Sequence, residues 1–209
     1  MQIAGVRRTV FRMICSFAIC GLVVVAASKS FVAAQQRQTA AVTSVDVMPR
    51  YDTNRNLLLP DDYRRWVLIG SSLGLSYSEN GRRGDQMFNT TLMEPSAYRY
   101  FVETGTFREG TMLALMLQGI GTNAMPARQG QFATDVHAVE MAVKDSKRVP
   151  EGWAYYGFGG PMGGGYRTTA APQAKQACYA CHVEHAKTDN VFTQFYGLLN
   201  EARSARDSK

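Results

Sequence analysis

The chain has 209 residues, a formal charge of +6, 45 % hydrophobic residues and four cysteines. That apolar content excludes an intrinsically disordered chain. Much of the charge and half of the cysteines, however, belong to the first 34 residues. Arg7, Arg8 and Arg12 precede an apolar run from Ile14 to Ala27, and Val32-Ala33-Ala34 supplies small residues for a cleavage site. A basic start, an apolar middle and small residues at the end predict a secretory signal over residues 1–34, hence a periplasmic or otherwise exported protein. The run is shorter than the ~20 apolar residues of a membrane span; a retained anchor is the alternative.

Removing residues 1–34 from 209 leaves 175, enough for one domain. Four basic residues and no acid leave with them, so the charge falls to +2, and Cys15 and Cys20 leave too. Nucleic-acid binding is therefore not expected, nor membrane association after cleavage, nor a disulfide-stapled scaffold.

Residues 35–56 are polar without a sustained period and predict a flexible N-terminal arm, with the folded domain over residues 57–209. Pro60-Asp61-Asp62 predicts a helix start, with a stripe of Tyr63, Trp66, Val67 and Gly70. Asn80-Gly81-Arg82-Arg83-Gly84 reads as a turn, Gln86 to Met93 as a strand, and Pro95-Ser96 as the start of a helix with Ala97, Tyr100 and Phe101 inward and Gly105 at its end. Thr111 to Leu117 predicts a buried central strand, and Gly119 to Gly130 is turn-rich. Asp135 to Asp145 alternates, with Val136, Ala138, Glu140 and Ala142 on one face and His137, Val139, Met141 and Val143 on the other. Trp153 to Phe158 predicts a further strand. The glycine-rich stretch Gly157 to Gly165 lacks the lysine and hydroxyl residue of a phosphate loop. Asp189 caps a predicted last helix carrying Val191, Phe195, Leu198, Leu199 and Ala202. The expected class is α+β.

The chemistry-bearing motif is Cys178-Tyr179-Ala180-Cys181-His182. Cys-x-x-Cys-His is the attachment signature of c-type haem. Two thiols add across the two vinyl groups, the two-residue gap matches their separation, and the next histidine is held where it can ligate iron. A thioredoxin-like redox pair would want a βαβ context, which is not visible. A structural zinc would need four ligands, with only His137 and His185 left to help. A short-range disulfide is the remaining alternative.

The order of a signal segment, Leu59-Pro60-Asp61-Asp62-Tyr63-Arg64-Arg65-Trp66, Thr104-Gly105-Thr106-Phe107-Arg108-Glu109-Gly110-Thr111, Val143-Lys144-Asp145-Ser146 and a late Cys-x-x-Cys-His resembles the cytochrome P-460 family, which includes the cytochromes c′-β. The resemblance runs from about Leu57 to Phe195. It implies an antiparallel β-sheet with flanking helices, one haem c attached near the C-terminus through Cys178 and Cys181 with His182 as iron ligand, an open distal side and a homodimer. Members of the family either oxidise hydroxylamine or bind nitric oxide without obvious turnover. The oxidising members carry a lysine, on the strand after the Phe-x-x-Gly-Thr turn, that cross-links to the porphyrin. Here that strand reads Thr111-Met112-Leu113-Ala114-Leu115-Met116-Leu117, and no lysine lies between Lys29 and Lys144. The catalytic members also have a strand carboxylate ahead of the Val-Lys-Asp stretch, which Glu140 matches.

Three functions follow as expectations. The first is a cytochrome that binds nitric oxide or a similar small nitrogen oxide at an open, apolar distal site walled by Leu113, Leu115 and Met116. The second is a haem oxidoreductase acting on hydroxylamine, nitric oxide or peroxide with Glu140 relaying protons. The third is a six-coordinate electron carrier, for which Met112, Met116 or Met141 would supply the sixth ligand, although core filling is their ordinary use. Phe88 and Phe107 either cap the distal pocket or simply pack. His137 is expected on the face opposite Glu140, and His185 cannot reach the far side of a ring held by His182. A redox partner protein is also expected.

Overall fold

The computed structural model describes residues 46–75, 86–126, 129–160 and 165–208. The leader with Cys15 and Cys20, residues 35–45 of the expected arm, the whole turn at residues 80–84, and residues 161–164 of the glycine-rich stretch lie outside the described residues.

Strand β1 (Leu57–Leu58) pairs with β8 (Thr169–Ala170) in a small two-stranded sheet. The main sheet has six strands: β2 (Val67–Leu73), β3 (Phe88–Met93), β4 (Met112–Thr122), β5 (Gln131–Lys144), β6 (Trp153–Gly160) and β7 (Gly165–Tyr166). They lie side by side in sequence order, every neighbour antiparallel. Helix α1 (Pro95–Thr104) fills the β3–β4 connection, and α2 (Tyr179–His185) and α3 (Gly197–Asp207) follow the sheet. The architecture is the expected α+β one, an antiparallel sheet with flanking helices.

The sheet is buried on both faces. On the first, Met112, Ala114, Val139, Met141 and Val143 pack with Leu57, Tyr63 and Trp66. On the second, Leu113, Trp153 and Tyr155 pack with Ala97 and Phe101 of α1 and Leu199 of α3. Strict alternation along β4 and β5 produces this division. It ends at a register shift opposite Leu117 and Gln118, after which Val136 packs with the first cluster. The expected companionship of Val136 with Glu140 is thus overturned by a bulge, which inserts one residue and exchanges the faces beyond it.

Helix α1 follows the expectation closely. Pro95 occupies its first turn, the buried Glu94 carboxylate accepts from the Ser96 and Ala97 amides at 2.9 and 2.8 Å, and Gly105 ends it at φ 72°. Tyr100, however, is exposed, and the buried positions are Ser96, Ala97 and Phe101. The helix expected after Pro60 is only a 3₁₀ turn, Tyr63–Arg65, before the chain extends into β2. Val67, Leu68 and Ile69 gain more from pairing with β3 than a short helix could supply. The helix expected from Asp189 begins later, at Gly197: Asp189 and Asn190 have φ of 46° and 57°, which no helix accepts. The arm is partly docked, since Val47 and Tyr51 pack on the first cluster and the Tyr51 hydroxyl donates to Asp145 at 2.9 Å.

Candidate functional site

A row of register partners crosses the second face: Gly70, Thr91, Leu115, Glu140 and Gly157. The adjoining row is Met93, Leu113, Ala142 and Tyr155. The glycine at each end of the first row is closely covered, Gly70 by Tyr196 and Gly157 by Gln173, so the floor of the site lies between them at Thr91, Leu115 and Glu140. Above it lie α2 and residues 190–196, which with the floor line a cavity of about 90 Å³ that opens into one of about 350 Å³. Thr91, Leu115, Glu140, Cys178, His182 and Tyr196 line both, so the two form one cleft.

Cys178 starts α2 and His182 lies one turn along it, so the motif presents one thiol and one imidazole to the same cleft. Cys181 lines its outer part. Both cysteines are free thiols. Burial raises the Cys178 pKa, with Glu140 and Cys181 adding to the effect. The bonding of the imidazole is decisive. Its Nδ1 lies 2.7 Å from the Asn190 carbonyl oxygen, which can only accept, so Nδ1 carries the proton. Burial lowers the His182 pKa and keeps the ring neutral, with Nε2 as the lone-pair nitrogen. Tyr155 and Phe192 hold the ring from two sides, at centroid distances of 4.4 and 4.5 Å. A ring held in this way could offer Nε2 to a metal, with its outer hydrogen bond already made.

Glu140 stands in the floor. Solvent still reaches it through the cleft, yet the surrounding protein raises its pKa by desolvation. Leu113 and Leu115 join it, as expected. Met116 does not: it packs on the opposite face with Met112 and Met141, and of the three only Met141 also borders the cleft. Phe107 packs between Phe101 (4.7 Å) and Trp153 (5.7 Å), and Phe88 is absent from the lining, so neither caps the cleft. Its aromatic lining is instead Tyr155, Phe192, Phe195 and Tyr196.

His137 is at the β5 bulge, its ring over Gly119 and outside the lining. His185 is exposed on α2, beside Glu184 at 3.8 Å. Among the described residues no three His, Cys, Asp or Glu side chains gather as metal ligands would.

Sequence reasoning missed Tyr155, Phe192 and the Asn190 carbonyl. The one signal that could have found them was Asp189-Asn190, a pair that tolerates positive φ and so marks a tight turn.

The residues present fit a c-type haem: two free thiols at haem-attachment spacing, a neutral histidine with one nitrogen committed to a carbonyl, and a cleft lined mostly by apolar groups. None of the helices among the described residues is long and apolar enough to cross a membrane. No match to a curated protein was found. The Cytochrome P460 family model matches residues 60–193, most of the folded domain and all of the cleft-forming strands. The chain belongs to the cytochrome P460 family, whose cofactor is haem c.

Proposed function

We propose that this chain is an exported cytochrome carrying one haem c, attached through Cys178 and Cys181 and ligated by His182 Nε2, which binds nitric oxide or a similar small nitrogen oxide. Residues 1–34 serve as the export signal. The observation that carries the reading is the committed His182 imidazole above a floor that offers no second strong ligand: Leu113, Leu115 and Thr91 surround the single carboxylate of Glu140. When bound, the haem would supply an iron centre able to take up a small nitrogen oxide. The chain's own residues orient the ligating imidazole, shield the cleft with Leu113, Leu115 and Tyr196, and keep a neutral environment. A neutral diatomic loses little on entering such a space, whereas an unpaired charge is costly there.

Haem should stay with the polypeptide after acid–acetone extraction, and Cys178→Ala with Cys181→Ala should release it. The intact mass should equal polypeptide plus one haem without hydrogen loss, because the lining contains no lysine to form a further bond. The ferrous protein should bind nitric oxide tightly and turn over hydroxylamine slowly. Rapid turnover with an artificial acceptor would overturn the reading.

The raised pKa of Glu140 favours a second one, a haem oxidoreductase on hydroxylamine, nitric oxide or peroxide. A carboxylate without a hydrogen-bonding partner among the described residues can accept a proton from an amine beside it. Glu140→Ala should then slow oxidation more than it weakens nitric oxide binding. A homodimer and a redox partner protein complete the proposal. Sedimentation of the holoprotein tests the first, and reduction by candidate periplasmic donors tests the second.

A further inference from the structure

Thr188-Asp189-Asn190-Val191 forms a tight turn closed from both ends, with the Val191 amide donating to the Thr188 carbonyl at 2.8 Å and the reverse bond at 3.4 Å. Both central residues have positive φ, 46° and 57°, the signature of a type I′ turn. Such a turn is rigid and points its carbonyls in fixed directions. This one is also tethered to the sheet. The Asp189 carboxylate accepts from Trp153 Nε1 at 3.2 Å and pairs with Lys144. The turn thus holds the Asn190 carbonyl over the strand ends of β5 and β6.

That carbonyl has two donors. His182 Nδ1 lies at 2.7 Å and the Tyr155 hydroxyl at 3.3 Å. Tyr155 is largely buried, and its ring lies against the imidazole at 4.4 Å. An acceptor shared between two donors gives less to each. The stronger the Nδ1–H donation, the more imidazolate character Nε2 acquires, and the more it favours the higher oxidation state of a metal it ligates.

We propose that Tyr155 is a positioning residue that moderates the hydrogen bond of His182 by sharing the Asn190 carbonyl, while the Asp189 tether to Trp153 and Lys144 keeps that carbonyl in reach. The inference rests on His182 being the haem-iron ligand. Relieved of its second donor, the carbonyl would take more from His182. Released from its tether, it would take less. The two changes therefore move the ferric/ferrous balance in opposite directions.

The test uses the holoprotein of the wild type, Tyr155→Phe and Asp189→Gly. Phenylalanine keeps the ring contact and removes only the hydroxyl. Glycine accepts the positive φ and removes both tethers. Covalent haem and histidine ligation are verified first, by acid–acetone extraction and by loss of ligation in His182→Ala; failure there sinks the underlying assignment, not this inference. Potentiometric titration should then show Tyr155→Phe shifted toward the ferric form, on the order of threefold in the equilibrium constant, about half the worth of a neutral hydrogen bond. Asp189→Gly should shift toward the ferrous form. General loosening of the fold would move both variants the same way, and that outcome, or no shift in Tyr155→Phe, overturns the proposal. Should Tyr155→Phe fail to accumulate, an unchanged or ferric-shifted potential in Asp189→Gly would overturn it alone.

Discussion

Glu140 and Glu94 are both carboxylates on the second face of the sheet or at its margin, and their surroundings give them opposite roles. Glu94 is buried and fully employed: it takes the Ser96 and Ala97 amides and pairs with Arg108 at 3.4 Å. Glu94→Ala removes a helix cap and leaves Arg108 without its buried partner, so it should cost about 2–4 kcal/mol in a urea melt. Glu140 has no such partner among the described residues, and desolvation raises its pKa. A raised folded-state pKa means that the folded form binds its proton more tightly than the unfolded chain does. The resulting stability is fully present below the ordinary carboxylate pKa and is lost as pH rises through the raised value. Glu140→Gln should therefore melt higher than the wild type at neutral pH and equal it in acid. The gain should stay below about 1 kcal/mol, because solvent in the cleft screens the charge. A variant less stable than the wild type at neutral pH would show that the carboxylate has a partner in solution.

Elements that carry their own boundary signals are legible in the residues themselves. Pro95 and Gly105 bracket α1, alternation over residues 135–145 marks β5, and the aromatic-rich run from Trp153 to Phe158 marks β6. Elements decided by distant partners are not. Tyr63, Trp66 and Val67 satisfy a helical period, yet β2 forms there because β3 offers a ladder and Ile69 a buried place. At the site, Cys178, Cys181 and His182 announce themselves by spacing. The Asn190 carbonyl cannot, since a backbone acceptor leaves no trace in residue type, and Tyr155 meets it only through packing between β6 and the last turns. Gly70 shows the same dependence on distant chain. A Cβ there would lie 2.7 Å from Tyr196 Cδ1 and 3.0 Å from the Phe195 carbonyl oxygen, so the residue lets the start of α3 press onto β2. Gly70→Ala should cost about 1–3 kcal/mol as overpacking. It should also displace Tyr196, which lines the cleft, and so alter the visible spectrum of the holoprotein. A spectrum and melt like those of the wild type would mean that the junction yields without strain.

Across the whole molecule, order is unevenly supplied by the polypeptide. Strands β4 and β5 are long, central and packed on both faces, and their ladder joins residues fully buried in both clusters. The cleft roof is different. Helix α2 has only seven residues and buries none of them completely. A helix so short is not stable by its own hydrogen bonds, so its order must come from what it is attached to. Its neighbours are the turn at residues 188–191, held by Asp189, and the rings of Tyr155 and Phe192 around His182. With haem attached as proposed, two thioether bonds and one metal–nitrogen bond add three anchors within five residues. Hydrogen exchange of the holoprotein should therefore protect the amides of α2, whereas Cys178→Ala with Cys181→Ala should leave them exchanging almost as in an unfolded chain. Amides of β4 and β5 should remain protected in both proteins, because their burial does not depend on the motif. Equal loss of protection in sheet and roof would mean that the haem is needed to fold the whole domain rather than to fix its lid. Undiminished protection of α2 in the double variant would mean that the Asp189 turn alone suffices to hold the ligating histidine in place.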